Sequence, residues 1–249
     1  MKDMIHRGEK VVGMFLSEIA APNLIRLMKA AGVDFVVVDC EHGYFDYSQV
    51  AAIAAVANGI NFPLIVRMPQ LTRSCIQKYW DGGVDGIWMP MLETSDQARE
   101  MVKLGKYAPE GVRGISTMRP HSNYAPGALS EYTQSANKRT MFFAQIETRT
   151  GVQNAAEIAS VKGLDGIFIG PNDLASDLGH IGNFNTPDMD AAIGKVLNAA
   201  IENELPCGIV ASNPDYLKKW EDKGMTMFSC DSELGLLKKG IQQMLKSVR

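Results

Sequence analysis

The amino-acid sequence predicts an α/β fold, namely a single (β/α)8 barrel of the TIM type over residues 1–249. Three observations lead to this prediction. The chain has 249 residues, which is close to the ~250 that one such barrel takes. Eight short apolar runs have the length of buried parallel strands, and segments with helical spacing separate them. A strand and a helix repeated eight times, with each crossover right-handed, close into a barrel.

A recurring phrase introduces every second strand. Glycine, an apolar residue and aspartate stand at 32–34, 83–85 and 163–165, and a weaker copy stands at 224–226. Each glycine follows a helical stretch and is typical of a helix C-cap, and each phrase leads into an apolar run. Four further apolar runs alternate with these. The predicted strands end near Leu16, Asp39, Arg67, Pro90, Glu147, Gly170, Ala211 and Cys230.

Helices fit between the strands. We expect Thr72 or Ser74 to cap the helix after the third strand and Ser95 to cap the next one. A doubly wound open sheet is the structural alternative, but it more often carries a glycine-rich phosphate turn, and no GxGxxG is present. The helical segments lie at 24–31, 50–57, 76–80, 96–104, 152–158 and 191–201, with an additional amphipathic C-terminal segment at 235–248.

One connection is unusually long. About fifty residues separate the fourth strand from the fifth, and 113–132 are rich in Pro, Gly, Ser and Asn. A loop of that size is uncommon and usually functional. We expect a lid over the strand ends or a segment that contacts another subunit.

Composition excludes several classes of protein. The chain is 46% hydrophobic and 21% charged, as in ordinary globular proteins, and its net charge of −3 argues against a nucleic-acid partner. No apolar stretch predicts a signal sequence or a membrane span. No cysteine pair has metal-ligand spacing, so we expect free thiols in a reducing cytoplasm. The four cysteines are Cys40, Cys75, Cys207 and Cys230.

Polar residues follow several predicted strands, and in a barrel the carboxyl ends of the strands form the active site. Glu147 and Asp173 each have a simple interpretation as helix N-terminal carboxylates. Together they offer the one or two carboxylates that Mg²⁺ or Mn²⁺ uses, and no His or Cys cluster offers a zinc site. The polar strand-end residues are Asp39, Glu41, His42, Arg67, Gln145, Glu147 and the turn Gly170-Pro171-Asn172-Asp173.

Arg67 and His42 are the candidates for chemistry beside that metal. Arg67 either pairs with a structural carboxylate or stabilises a substrate oxyanion. His42 follows Asp39 by three residues, and a carboxylate bonded to an imidazole raises its basicity, which suits a general base. The turn at 170–173 offers backbone N–H groups for a substrate carboxylate. The weaker candidates are His6, His121 and His180.

These segments together resemble the HpcH/HpaI family, the metal-dependent (class II) pyruvate aldolases. The resemblance covers nearly the whole chain. QIET followed about twenty residues later by FIGPxDL is specific to that family. The matching stretches are VDCEHG at 38–43, VRMP at 66–69, QIETRTGV at 145–152, GIFIGPNDLASDLGH at 166–180 and YAPEGVRGIS at 107–116.

The resemblance implies a barrel of the phosphoenolpyruvate/pyruvate type that releases pyruvate and an aldehyde from a 4-hydroxy-2-oxo acid. It implies Glu147 and Asp173 as ligands of Mg²⁺, Mn²⁺ or Co²⁺. It also implies a hexamer with the C-terminal helix exchanged between subunits, although that helix could equally cap its own barrel. The remaining roles it implies are pyruvate contacts from Gln145 and the backbone at Gly170, Pro171 and Asn172, enolate stabilisation by Arg67, and a base formed by His42 with Asp39 and influenced by Asp81.

The sequence departs from the common family pattern around the histidine and the turn. Cys40 replaces a glycine, Gly43-Tyr44-Phe45 replaces Ala-Pro-Asn of the sugar-acid aldolases, and Asn172 replaces a frequent alanine. The pyruvate half is unchanged, whereas the aldehyde side differs. Oxaloacetate decarboxylation, as in macrophomate synthase, is therefore an alternative activity. A catalytically silent barrel that binds a small carboxylate is a third hypothesis.

Overall fold

The computed structural model describes residues 1–249. Eight parallel strands pair in chain order and the last pairs with the first, so the sheet closes into a barrel. The predicted (β/α)8 barrel is thus confirmed, and each strand ends within two residues of its predicted position. The strands are β1 Val11–Leu16, β2 Phe35–Asp39, β3 Leu64–Arg67, β4 Gly86–Met89, β5 Met141–Ile146, β6 Gly166–Ile169, β7 Cys207–Val210 and β8 Met227–Ser232.

Twelve helices surround the barrel or close its ends. None of them is both long enough and apolar enough to cross a membrane. The helices are α1 Lys2–His6, α2 Leu24–Ala30, α3 Tyr47–Gly59, α4 Arg73–Gly82, α5 Ser95–Gly105, α6 Leu129–Arg139, α7 Arg149–Gln153, α8 Ala155–Ala159, α9 Pro171–Asp177, α10 Pro187–Glu202, α11 Pro214–Glu221 and α12 Glu233–Val248.

The recurring glycine–aspartate phrase has a structural cause at both of its ends. All four glycines have positive φ, between 91° at Gly32 and 109° at Gly224, which reverses the chain after a helix. The aspartate of each full copy then accepts a backbone N–H at the start of the preceding strand. Asp34 bonds to Val12, and the equivalent bonds join Asp85 to Leu64 and Asp165 to Phe142. The phrase therefore ties strands together in pairs.

An aromatic layer fills the barrel interior. Phe143, Phe168 and Trp88 are fully buried there, and the rings of Trp88 and Phe168 stack with centroids 3.7 Å apart. Ile5 of α1 belongs to the same cluster, so this helix closes the amino-terminal end of the barrel. A larger apolar layer packs the helices onto the strands. The interior is a rigid support beneath the strand ends, where the polar residues lie.

Helix boundaries confirm one predicted cap and correct another. Thr72 caps α4 through its side chain, as expected. Ser95 does not cap α5. Thr94 does, because it has extended backbone geometry and forms a reciprocal capping box with Gln97, which leaves Ser95 buried in the first turn.

The prediction of a lid formed by 113–132 is wrong. Part of this segment is helical, with a 3₁₀ turn at Pro120–Ser122 and the start of α6. It runs along α4, where Gly114 lies beside Gln77 and His121 beside Gly83. Since α4 runs antiparallel to the strands, Gly83 lies at the amino-terminal end of the barrel. The segment therefore moves away from the strand ends, and a contact with another subunit stays a prediction.

The predicted C-terminal helix is confirmed as α12. Glu233 in its first turn is its only buried residue. Its side chain accepts backbone N–H bonds from Ser17, Glu18 and Ile19, which anchors α12 to the loop after β1. The apolar side of α12 is exposed, so this helix does not cap its own barrel. That exposed side consists of Leu236, Leu237, Ile241, Met244 and Val248.

Candidate active site

A cavity of about 810 Å³ opens at the carboxyl ends of the strands. This is where a barrel places its active site. Six of the predicted site residues line it, and the others lie beneath it or elsewhere in the fold. The predicted residues in its wall are Asp39, His42, Arg67, Asn172 and Asp173, together with Pro171.

Arg67 is fixed by a bidentate ion pair. Asp39 and Arg67 are register partners on β2 and β3, so their side chains leave the strands next to each other. Arg67 donates Nε to Asp39 Oδ1 at 2.9 Å and Nη2 to Asp39 Oδ2 at 2.6 Å. The guanidinium also lies 4.8 Å from the centre of the Phe15 ring. Burial lowers the pKa of Arg67, but the hydrogen bonds and charge of Asp39, together with the charges of Glu41 and Glu147, outweigh burial and raise it, so the positive charge is permanent.

The expected bond between Asp39 and the His42 imidazole is not formed. Asp39 Oδ1 accepts the backbone N–H groups of Glu41 and His42, at 3.1 and 3.2 Å, in addition to Arg67. Oδ1 thus accepts three hydrogen bonds and Oδ2 accepts one, and none of them comes from the imidazole. Glu41 is the carboxylate beside the imidazole instead, with its Oε2 3.9 Å from Nε2. Burial raises the pKa of Glu41, and Arg67 opposes that shift.

The loop that carries His42 is unusually tight. A Cβ on Gly43 would lie 2.2 Å from the carbonyl oxygen of Asp39 and 2.5 Å from that of Ser17. No side chain fits into that space. The glycine at this position is therefore required by the path of the loop, and the His42 side chain is 67% exposed on the cavity wall.

Glu147 is a buried carboxylate that accepts hydrogen bonds from two neighbours. Only 2% of the residue is exposed. Met91 donates its backbone N–H to Oε1 at 2.8 Å, and Gln145 donates its side-chain amide to Oε2. Trp88 in turn donates its indole N–H to Gln145. Burial raises the pKa of Glu147 to about 7, and the hydrogen bonds from Met91 and Gln145 only partly offset the burial.

The Gly170 turn lies against this carboxylate. A Cβ on Gly170 would lie 2.1 Å from Glu147 Oε2, so a residue larger than glycine would displace the Glu147 carboxylate. Pro171 begins α9, and Asp173 lies exposed in its first turn. The charge of Asp173 contributes to the raised pKa values of both Glu147 and Glu41. The three carboxylates therefore share one electrostatic environment.

The charges in this environment do not balance. Asp39, Glu41, Glu147 and Asp173 are acidic, and Arg67 is the one permanent positive charge among them. Neither Glu147 nor Asp173 forms an ion pair with a basic side chain. No group of three or more potential ligands forms a complete metal cage. Two carboxylates with open positions fit a hard divalent cation that takes its other ligands from water and substrate oxygens.

The structure does not bring Asp81 to this site. Asp81 lies near the C-terminal end of α4, at the opposite end of the barrel, where Arg113 donates to it at 3.1 Å and His121 Nε2 lies 3.5 Å away. The remaining histidines also lie elsewhere: His6 pairs with Asp165 and His180 with Asp188. His42 is the one histidine in the cavity wall.

Sequence reasoning missed two residues that shape the site. Met91 was not singled out, because a backbone donor leaves no trace in side-chain chemistry; its positive φ of 50° is visible only in the structure. Glu41 was considered only as a neighbour of His42, although it contacts both His42 and Arg67. A carboxylate directly before a histidine at a strand end was the available signal.

The fold and the site define a (β/α)8-barrel enzyme with an acidic pocket around one arginine. The family model for HpcH/HpaI aldolase/citrate lyase matches residues 12–239, and the chain belongs to that family. It is 32% identical to the 5-keto-4-deoxy-D-glucarate aldolase of Klebsiella pneumoniae over 226 residues, which covers 91% of this chain and 88% of the relative. The protein is thus an enzyme of the aldolase, or aldehyde-lyase, class.

Solved structures support the same assignment. An HpcH/HpaI aldolase from Desulfitobacterium hafniense superposes with a TM-score of 0.95 at 28% identity, over 100% of this chain and 96% of that one. Macrophomate synthase superposes with a TM-score of 0.86 at 25% identity, over 100% of this chain and 87% of that one. The chain is therefore similar in sequence to an aldolase and in structure to macrophomate synthase, two proteins named for different activities.

Proposed function

We propose that the enzyme is a divalent-metal-dependent pyruvate aldolase that cleaves a 4-hydroxy-2-oxo acid into pyruvate and an aldehyde. One observation carries this proposal. A single fixed guanidinium, Arg67, lines the cavity together with Asp173, and the buried Glu147 shares their electrostatic environment; neither carboxylate has a cationic partner. Such a site accepts a cation and an anionic oxygen side by side, which is what a 2-oxo acid requires.

Glu147 and Asp173 would hold the metal. When bound, a divalent cation polarises carbonyl and carboxylate oxygens and so lowers the cost of forming an enolate. Gln145 keeps Glu147 in place because its amide joins that carboxylate to the indole of Trp88. This arrangement gives Gln145 a supporting role, and its second amide hydrogen is the group left for a substrate oxygen.

Arg67 stabilises the negative charge that develops on the C2 oxygen of the substrate. The C3–C4 bond breaks, and its electron pair moves into the enolate that ends on this oxygen. Because Asp39 accepts two hydrogen bonds from the guanidinium, Arg67 is already oriented before negative charge develops on the enolate oxygen. Preorganised donors of this kind give larger stabilisation than mobile ones.

His42 takes the proton from the C4 hydroxyl. Its imidazole is exposed on the cavity wall, within reach of a substrate that spans the cavity. Once protonated, it carries a positive charge that the carboxylate of Glu41 stabilises. The backbone of Gly170, Pro171 and Asn172 borders the opposite side and would position the carboxylate of the 2-oxo acid.

A substrate panel tests the proposal. A set of 4-hydroxy-2-oxo acids is incubated with Mg²⁺, Mn²⁺ or Co²⁺, and pyruvate formation is measured. We expect release that EDTA abolishes and that the Glu147→Gln and Asp173→Asn variants lose. Release that survives EDTA and both substitutions contradicts the metal-dependent mechanism. Binding of pyruvate and metal without turnover of any substrate would favour the silent carboxylate-binding barrel.

Oxaloacetate decarboxylation is the second candidate activity. The structural likeness to macrophomate synthase favours it, and it passes through the same pyruvate enolate. It removes no proton from a hydroxyl, so it does not need His42. Including oxaloacetate in the panel separates the two activities by comparing their kcat/KM values.

A further inference from the structure

The cavity extends beyond the residues of the proposed mechanism. Its far wall comes from the loop before α10, from α11 and from the end of β8. We call five polar residues of this wall the outer subsite. They are Asn185, Asn213, Asp215, Lys219 and Asp231.

The only lysine in the cavity wall is not free to bind an anion. Lys219 donates Nζ to Asp190 Oδ1 at 2.5 Å. The same ammonium group lies 5.5 Å and 5.8 Å from the centres of the Trp220 and Tyr216 rings, and these contacts hold it in place. A substrate carboxylate would have to break the pair with Asp190 in order to gain this charge.

The amino terminus of α11 also offers no anion site. Asn213 caps this helix, and its side-chain oxygen accepts the N–H groups of Asp215 at 2.9 Å and Tyr216 at 3.2 Å. Pro214 at the first helical position has no N–H. The donors that normally attract an anion to a helix start are therefore already used.

One carboxylate of the outer subsite has no partner. Asp231 pairs with Lys239 at 2.5 Å, and Lys219 pairs with Asp190. Asp215 is exposed in the cavity wall, and it forms no ion pair with any side chain of the protein. The outer subsite therefore carries one uncompensated negative charge.

Neutral hydrogen-bonding groups surround that charge. Asn185 and Ser212 line the same wall, and their side chains bond to no other part of the protein. The amide nitrogen of Asn213 is equally free. Amides and hydroxyls of this kind bind the hydroxyl groups of a sugar-like chain.

We propose that the outer subsite makes the enzyme select an uncharged, hydroxylated aldehyde over an aldehyde that carries a carboxylate. The selection rests on the proposed aldolase function, because it concerns the aldehyde released or added at that site. Asp215 repels the carboxylate of such an aldehyde. Lys219, the one basic side chain of the subsite, does not attract that carboxylate, because it is already paired with Asp190.

Two acceptors of equal length test the selection in the direction of aldol addition. Glyceraldehyde ends in a hydroxymethyl group, and tartronate semialdehyde ends in a carboxylate at the same position. The kcat/KM for each is measured with pyruvate and a divalent metal. We expect the ratio in favour of glyceraldehyde to fall by about tenfold in Asp215→Asn and in Asp190→Asn. Intrinsic reactivities of the two aldehydes cancel in this comparison.

Asp222→Asn is the matched control. It removes the same charge at the carboxyl end of α11, where Asp222 follows the last helical residue, lies outside the cavity and pairs with Lys218. An unchanged ratio in both cavity variants, or an equal change in the control, overturns the selection. Exchange of the pyruvate methyl protons in D₂O reports enolate formation without any acceptor. Exchange without the expected ratio change refutes the outer subsite alone, whereas no exchange refutes the proposed function.

Discussion

Replacing Glu147 with glutamine tests whether this buried carboxylate requires a bound cation to compensate its negative charge. Glu147 is 2% exposed, and no basic side chain pairs with it. In the metal-free protein, the ionised form of Glu147 is therefore destabilised by burial, and no positive charge compensates for this. Glutamine has nearly the same shape and carries no charge, so it removes that cost while it fills the same space.

The magnitude follows from the pKa. Burial raises the pKa of Glu147 from 4.5 to about 7. The folded state thus binds the proton more tightly than the unfolded chain does. The resulting stability is complete below pH 4.5 and is lost as the pH rises to about 7. The difference amounts to roughly 3 kcal/mol at pH 8, at about 1.4 kcal/mol per pKa unit.

The assay is urea unfolding of wild type and Glu147→Gln between pH 5 and pH 8 in the presence of EDTA. The variant should gain roughly 3 kcal/mol relative to wild type over this range. Adding Mn²⁺ at pH 8 at about one thousand times its Kd should reverse the order, because binding then stabilises the folded wild type by about 4.1 kcal/mol, more than the difference between the two proteins. Glu157→Gln, on the exposed surface of α8, is the control and should show neither effect.

A stability difference between the variant and wild type that stays constant within about 1 kcal/mol from pH 5 to pH 8 would contradict this prediction. Equal stabilisation of both proteins by Mn²⁺ would contradict it as well. The first result would mean that the buried carboxylate costs nothing, and the second that Glu147 does not hold the cation.

Three further predictions concern the base, the turn and the assembly. His42→Ala should lower kcat/KM for aldol cleavage by about 100-fold and for oxaloacetate decarboxylation by much less; equal losses would contradict its role as the base. Gly170→Ala should weaken metal binding by about tenfold in a calorimetric titration, since its Cβ displaces Glu147; unchanged affinity would place the metal elsewhere. Leu237→Glu with Ile241→Glu should reduce the mass measured by light scattering, because both side chains are exposed on α12; an unchanged mass would exclude α12 from the assembly.

The strands were predictable because their signal is local. Each strand is a run of buried apolar residues, and the Gly-x-Asp phrase marks three helix-to-strand turns through positive φ and a bond to the preceding strand. Two helices, α1 and α6, were not predicted from the sequence. The five residues of α1 show no periodicity, and only its position under the barrel buries Ile5. The α6 helix was hidden by its polar composition and by the Pro- and Gly-rich residues before it.

The site was predictable as a set of residues but not as a set of contacts. Strand order alone brings Asp39, Arg67 and Glu147 to one end of the barrel. Which carboxylate pairs with which base depends on register and side-chain direction. Asp39 faces Arg67 across β2 and β3, and this leaves Glu41 for His42. The outer subsite had no sequence signal, because its residues come from a loop, a helix and a strand end that only the fold brings together.

A role of Asp81 at the active site would connect that site to the oligomeric state. The family resemblance implies that this carboxylate influences His42, yet within one chain the two lie at opposite ends of the barrel. The implied role therefore requires Asp81 from a second copy of the chain. Mixing Asp81→Asn with His42→Ala, after dissociation and reassembly, tests this requirement, because random assembly restores about a quarter of the sites.

Recovered activity in the mixture is stronger evidence that Asp81 acts at a neighbouring active site than is the loss of activity in either variant alone. Asp81 also balances Arg113, whose side chain is only 2% exposed, so Asp81→Asn is expected to lower stability as well as activity. A purely structural role of Asp81 predicts that the mixture has only the average activity of the two variants. A role at the neighbouring active site predicts activity above both, and the gain should disappear when the Leu237→Glu and Ile241→Glu changes prevent assembly.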